Sequence, residues 1–192
     1  KKYVQFLPKA LIGVDAKTGS QLWRFNGTID LTYGVNAQTP IVQKDLVYSA
    51  AGNRGGVLKL SGTGAAPVWV QRNAPCGLGG TVLSGDHLYG TNQRELVCVE
   101  LATGKIVWSN PCVGAASVCV ASGLLFVHGE NGEVALVEAS PKGYVEKGRF
   151  TPANRPERLR GQMEKSWAYP VVAGRRLYLR DVGTIWAFDI GG

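Results

Sequence analysis

The 192-residue sequence holds four cysteines, two histidines and one methionine, and these scarcities remove several kinds of chemistry. No two cysteines form a C-x-x-C pair and His87 and His128 are the only histidines, so the spacing of a zinc site is missing. Cys98 and Cys119 sit inside apolar runs, where cysteine behaves as a small buried hydrophobe. Cys76 and Cys112 fall between such runs, and the balance is against a bridge between them. No G-x-S-x-G elbow, H-E-x-x-H helix or phosphate-binding Walker loop occurs. Gly77-Leu78-Gly79-Gly80 is too short to cradle a phosphate and precedes a strand. No apolar stretch approaches the roughly 18 residues that a membrane-spanning helix needs, so no transmembrane segment is expected. The net charge of +7 permits an acidic partner. No helix carries a basic stripe, however, and no nucleic-acid module is recognisable.

What is abundant is turn and strand material: 26 Gly, 9 Pro and 5 Trp, with hydrophobic residues at 45%. Leu96-Val97-Cys98-Val99-Glu100-Leu101-Ala102-Thr103-Gly104-Lys105-Ile106-Val107-Trp108 places two apolar runs around a turn. Gly104 can take a positive φ there at no steric cost. The stretch reads as a short β-hairpin ending in tryptophan. Residues 12–23, closing on Thr18-Gly19-Ser20-Gln21-Leu22-Trp23, repeat the pattern. A repeat at this spacing decides the architecture.

Following the hairpin divides the chain into five units. The first holds strands at 3–6, 11–15 and 21–25; the second at 40–42, 46–49, 57–60 and 68–70. The third has 81–83, 88–90, 96–100 and 106–108; the fourth 118–120, 124–127, 134–138 and 144–150. The fifth has 170–172, 177–180 and 184–189. Each unit reads as a four-stranded antiparallel meander, the first and last being one strand short. The spacing is near the ~40–45 residues of propeller blades. Continuous apolar runs such as Leu177-Tyr178-Leu179 suit strands packed on both faces. The fold class is all-β, β-propeller blades.

These hairpins resemble the tryptophan-docking repeat of the pyrroloquinoline quinone (PQQ)-like β-propellers. Val68-Trp69 is a degenerate copy, and Phe150 stands where the fourth unit would carry tryptophan. The resemblance implies that Trp23 and Trp108 are structural, packing at blade interfaces. It also implies a periplasmic or otherwise extracytoplasmic protein. The units count three, four, four, four and three strands. Residues 1–192 are therefore expected to be the C-terminal part of a larger ring. The partners that complete it would be further blades or another copy of the chain. Lys1-Lys2-Tyr3-Val4-Gln5-Phe6 is already strand-like and reads as no secretory signal.

In a meander blade, the loops joining strands two and three emerge on the same face as the inter-blade loops. That face gathers Arg54, Arg94, Asn131, Arg180 and Asp181 as ligand-binding candidates. Arg54, Arg94 and Arg180 occupy the same hairpin in three blades and favour an anionic ligand, because Arg presents a fork to carboxylates. Trp167 and Tyr169 follow the longest connection, Thr151 to Lys165, which also holds Arg155, Arg158 and Arg160. They could stack on a ligand, and a glycan-binding propeller would rest on them alone. The quinoprotein alcohol dehydrogenases among the related proteins carry a vicinal cysteine pair and a calcium site of Glu, Asn and Asp. No adjacent cysteines occur here, and the spacing of Glu130, Asn131 and Asp181 does not match. No catalytic residue or metal ligand is carried over. The reading is a non-catalytic binding or scaffold propeller of the bacterial envelope, meeting a protein or anionic ligand on its loop face. The alternative is a PQQ-dependent dehydrogenase, with PQQ and calcium as cofactors.

Overall fold

The computed structural model describes residues 1–32, 34–157 and 165–191. They form 18 strands and no helix, in five separate antiparallel sheets of three, four, four, four and three strands. The first blade is β1 (Lys2–Leu7), β2 (Ala10–Asp15) and β3 (Gln21–Phe25); the second is β4 (Ile41–Gln43), β5 (Leu46–Ala51), β6 (Arg54–Ser61) and β7 (Gly64–Arg72). The third is β8 (Thr81–Ser84), β9 (His87–Thr91), β10 (Leu96–Glu100) and β11 (Ile106–Asn110). The fourth is β12 (Ala116–Ala121), β13 (Leu124–Gly129), β14 (Val134–Glu138) and β15 (Glu146–Phe150). The fifth is β16 (Val171–Ala173), β17 (Arg176–Asp181) and β18 (Thr184–Asp189). Strands pair in chain order within every blade, so each is a simple meander.

The main departures from the sequence reading lie at Gly-rich ends. β6 begins at Arg54 and β7 at Gly64, where Gly55, Gly56 and Gly64 carry no β-forming side chain. Gly55 and Gly56 are nonetheless required by packing. A Cβ on Gly55 would stand 2.4 Å from the Tyr48 hydroxyl, and one on Gly56 2.7 Å from the Trp69 carbonyl.

The continuous apolar runs have a direct explanation. Val97 and Val99 pack with Tyr48, Ala50 and Val57 of the second blade. Their neighbours Leu96 and Cys98 point the other way, into a cluster with Val118, Leu125, Val127 and Ala135 of the fourth. Phe126 and Val134 then meet Leu177 and Leu179 of the fifth blade, while Leu11 and Trp23 meet Val47 and Leu58 of the second. The core is thus a row of inter-sheet layers, with the second, third and fourth blades packed on both faces.

The hairpins are built alike. Gly19 N–H donates to the Asp15 carbonyl and Gly104 N–H to the Glu100 carbonyl, both at 2.9 Å. The Asp15 carboxylate accepts from the Lys17 and Thr18 amides, which holds it below the usual carboxylate range. A one-residue register shift follows in each complete hairpin, at Gly13/Val14, Val57/Leu58, Cys98/Val99 and Leu136/Val137. Such bulges bend the outer strand and re-aim its side chains.

That outer strand carries the tryptophans. The Trp69 indole covers Gly104, where a Cβ would lie 2.7 Å from the ring, and its N–H donates to the Leu101 carbonyl of the third blade at 2.9 Å. Trp108 donates to the Ser140 carbonyl of the fourth blade at 2.8 Å and lies between Tyr89 and Tyr144. Trp23, only 7% exposed, lies over its cross-strand partner Gly13. Its indole N–H has no acceptor among the described residues.

Candidate functional site

The loops joining strands two and three, and those joining successive blades, enclose a cavity of about 680 Å³. The β5–β6 turn contributes Gly52, Asn53 and Arg54; the third blade gives Gln93, the fourth Glu130. The inter-blade loops add Ile29–Thr32 and Val35, Cys76–Gly79, Ala115–Ala116, and Lys165 with Trp167.

Buried polar side chains tie these loops to the blades, as unpaired backbone groups at such depth would be costly. The Pro75 carbonyl accepts from the Tyr48 hydroxyl at 2.6 Å, from Thr81 at 2.9 Å and from the Gln38 amide at 3.3 Å. Gln38 also donates to the Gly77 carbonyl at 2.7 Å. One blade further on, the Thr91 carbonyl accepts from the Cys76 and Gly77 amides, and the Thr91 hydroxyl bridges the backbone N–H and carbonyl of Ala116. Burial pushes the Cys76 thiol up to about 11. All four cysteines are free thiols.

The rim is organised by two carboxylates. Asp30 accepts from the Thr32 and Val35 amides and packs against Gly52, where a Cβ would stand 3.1 Å from its Oδ1. Glu130 accepts from the Trp167 indole N–H and pairs with the Lys165 ammonium, each at 2.8 Å. The segment around Trp167 is further pinned by Ser166 N–H to the Glu130 carbonyl and the Ser117 hydroxyl to the Trp167 carbonyl. Apolar side chains share this rim, with Leu31 79% exposed and Val35 and Leu78 also exposed.

The structure distributes the sequence candidates over several places. Arg54 and Trp167 line the cavity. Arg180 and Asp181 line a smaller depression beside it, with Ser166 and Val182. Asp181 is 4% exposed and faces Arg155 at 3.4 Å. Asn131 caps its own turn, its side-chain oxygen accepting from the Glu133 amide, while its carbonyl receives Arg155. Tyr169 covers Gly80 and donates to the Leu78 carbonyl, and burial raises its hydroxyl above the usual range. Arg94 lines neither depression.

The three arginines part because one hairpin has two sides. Arg54 opens β6 after the turn, opposite Ala51; Arg180 lies before its turn, on β17, opposite Ile185. In the third blade the loop is longer, and Asn92 caps the Arg94 and Glu95 amides. Arg158 and Arg160 lie outside the described residues. Gln93 belongs to a hairpin expected on this face, and Asp30, Leu31 and Gln38 to the inter-blade loop 27–38 expected there, but no residue-level signal marked the last three.

Asp30 and Glu130 are the only described carboxylates of this cavity, and both are engaged as above. Among the described residues no group of three or more metal-binding side chains occurs.

Five stacked antiparallel meanders, with tryptophans of the second and third bonded across to the following sheet, are β-propeller blades. Residues 53–143 match the family described as outer membrane protein assembly factor BamB. Among solved structures, BamB from Moraxella catarrhalis is similar at 16% identity and a TM-score of 0.69, covering 98% of this chain and 60% of that one. Hsv2 from Kluyvelomyces marxianus is similar at 12% identity, with a TM-score of 0.65 over 100% of this chain and 56% of that one. The computationally designed Ika8 protein is similar at 10% identity, with a TM-score of 0.62 over 97% of this chain and 57% of that one. The chain thus spans well under two thirds of each. No curated protein matches. No described helix is long and apolar enough to cross a membrane.

Proposed function

We propose that this chain is a non-catalytic propeller module of the bacterial cell envelope that binds a protein through its loop face. The observation that carries the reading is the cavity of about 680 Å³, rimmed by exposed Leu31, Val35, Leu78 and Trp167. Exposed apolar side chains gathered around a polar-floored depression suit a protein partner, since scattered surface apolar residues need no explanation but grouped ones do. Support for the envelope comes from the match of residues 53–143 to the BamB family description.

The test is photo-crosslinking in cells from Leu31 and from Leu78, with Lys44, in the β4–β5 turn on the opposite face, as control. The expected result is a discrete protein adduct from both rim positions and none from Lys44. Identical adducts from all three positions, or none from the rim, would overturn the proposal.

A further inference from the structure

We infer that the cavity takes a protein segment in which an acidic side chain neighbours a large apolar one, Arg54 holding the carboxylate and Trp167 the apolar group. The inference rests on the protein-binding reading above and narrows it to one chemistry.

Arg54 is half-buried and lines the cavity, and while its backbone pairs within the sheet, its guanidinium has no hydrogen-bond or ion-pair partner among the described residues. The other three charged groups there are already engaged. Asp30 spends its carboxylate on backbone amides of its own loop, and Glu130 and Lys165 pair with each other. Among the described residues, the one charge left at the cavity for a ligand is therefore the Arg54 guanidinium, whose fork matches a carboxylate.

The turn that carries Arg54 is held in place from two sides. Gln93 of the third blade donates to the Gly52 carbonyl, and Gly52 itself, at a φ of 60°, packs on Asp30. A guanidinium on a fixed turn loses less freedom when it binds.

Trp167 is the second determinant. Glu130 takes its only polar atom, so the indole offers the cavity apolar ring faces alone. Its position is fixed by the backbone bonds around Ser166 and Trp167. A ligand satisfying both residues must present an acceptor and an apolar group together. A purely hydrophobic segment would strip water from Arg54 without replacing its hydrogen bonds, and that is unfavourable. A free chain end supplies a carboxylate as well, so the probes carry blocked ends.

The experiment uses end-blocked octapeptides of Gly and Ser carrying a central Glu-Phe, Gln-Phe, Glu-Ala or Lys-Phe pair, titrated calorimetrically against the full chain. The Glu-Phe peptide should bind in the micromolar to sub-millimolar range, and the other three roughly tenfold or more weakly, since hydrogen bonds to charged groups are the strong ones. Arg54→Gln should weaken Glu-Phe by roughly tenfold and leave Gln-Phe unchanged. Arg54→Glu should move the preference to Lys-Phe. Unchanged strand circular dichroism verifies that each variant is folded.

Equal binding of Glu-Phe and Gln-Phe, insensitivity to Arg54→Gln, or no saturable binding of Glu-Phe up to about 1 mM would each overturn the inference. Rim crosslinks to a protein would survive any of those outcomes, so the wider reading and this narrower one fail separately.

Discussion

Gly19 and Gly104 stand at the same place in two hairpin turns, at φ of 76° and 77°, and only Gly104 lies beneath a tryptophan. Nothing within 4 Å surrounds a Cβ built on Gly19, whereas one on Gly104 meets the Trp69 ring at 2.7 Å. Alanine at either position carries the strain of a left-handed backbone, about 1–2 kcal/mol. At Gly104 it must also push the indole off its seat, an overpacking cost of about 1–3 kcal/mol. Gly19→Ala should therefore cost about 1–2 kcal/mol and Gly104→Ala about 2–5. For a chain of this size the difference is a further fall in melting temperature of roughly 2–12 °C. Urea unfolding followed by circular dichroism, with the slope checked for constancy, gives both values. In a Trp69→Ala background the excess cost of Gly104→Ala should vanish, because two residues in contact do not act additively. If the two glycine variants agree within about 0.5 kcal/mol in the parent chain, the indole does not seat on the turn and the docking account is wrong.

Three further outcomes are expected. Trp108→Ala should cost about 3–5 kcal/mol, whereas Trp108→Phe, which keeps most of the ring but loses the bond to the Ser140 carbonyl, should cost closer to 1–2; a Phe variant as stable as the parent would show that the N–H contributes nothing, and one as unstable as the Ala variant that the ring packing does not. His128 is 1% exposed, with its Nδ1 3.4 Å from the Ala168 carbonyl and Asp181 and Arg155 nearby, and burial holds its pKa below 6.5. The folded ring stays neutral while the unfolded ring charges, so its contribution is present above pH 6.5 and lost as pH falls toward the folded value. Melting curves between about pH 8 and pH 5 should show a shallower loss for His128→Asn than for the parent, and parallel profiles would refute the assignment. Cys76 and Cys98, both pushed up to about 11 by burial, should resist iodoacetamide in the native protein at neutral pH and react only after unfolding, as read by mass spectrometry of the labelled peptides.

The blades were legible because three of the four seams are written twice in the sequence, once as a strand apolar on both faces and once as the hairpin that ends in tryptophan. Leu96 to Val99 shows why: neighbouring side chains serve opposite blades, so alternation disappears and a solid apolar run takes its place. The beginnings of β6 and β7 were not legible. Gly55 and Gly56 are there for what packs against them, and that is a property of the folded chain. At the cavity, the loop face followed from meander geometry and Arg54 and Trp167 were among the residues expected on it. The convergence of Arg94 and Arg180 did not follow, because turn length and strand side decide where an arginine points. Asp30 and Gln38 were invisible, since an acid or amide in a loop reads as an ordinary turn former until its partners are known.

One detail of the first blade bears on how the molecule breathes. Of the three outer-strand tryptophans, Trp69 and Trp108 each tie their N–H to the following blade, while that of Trp23 goes unanswered. In a stack where each layer touches only its neighbours, opening proceeds seam by seam, and the seam with the fewest ties opens first. Amides of β1 to β3 should then exchange with solvent as one cooperative unit, at a lower free energy than those of β8 to β14. The connection from residue 26 to 40 would be the first backbone such an opening offers to a protease. A single missing acceptor thereby marks, in a row of near-identical blades, the seam between the first two as the place where opening starts.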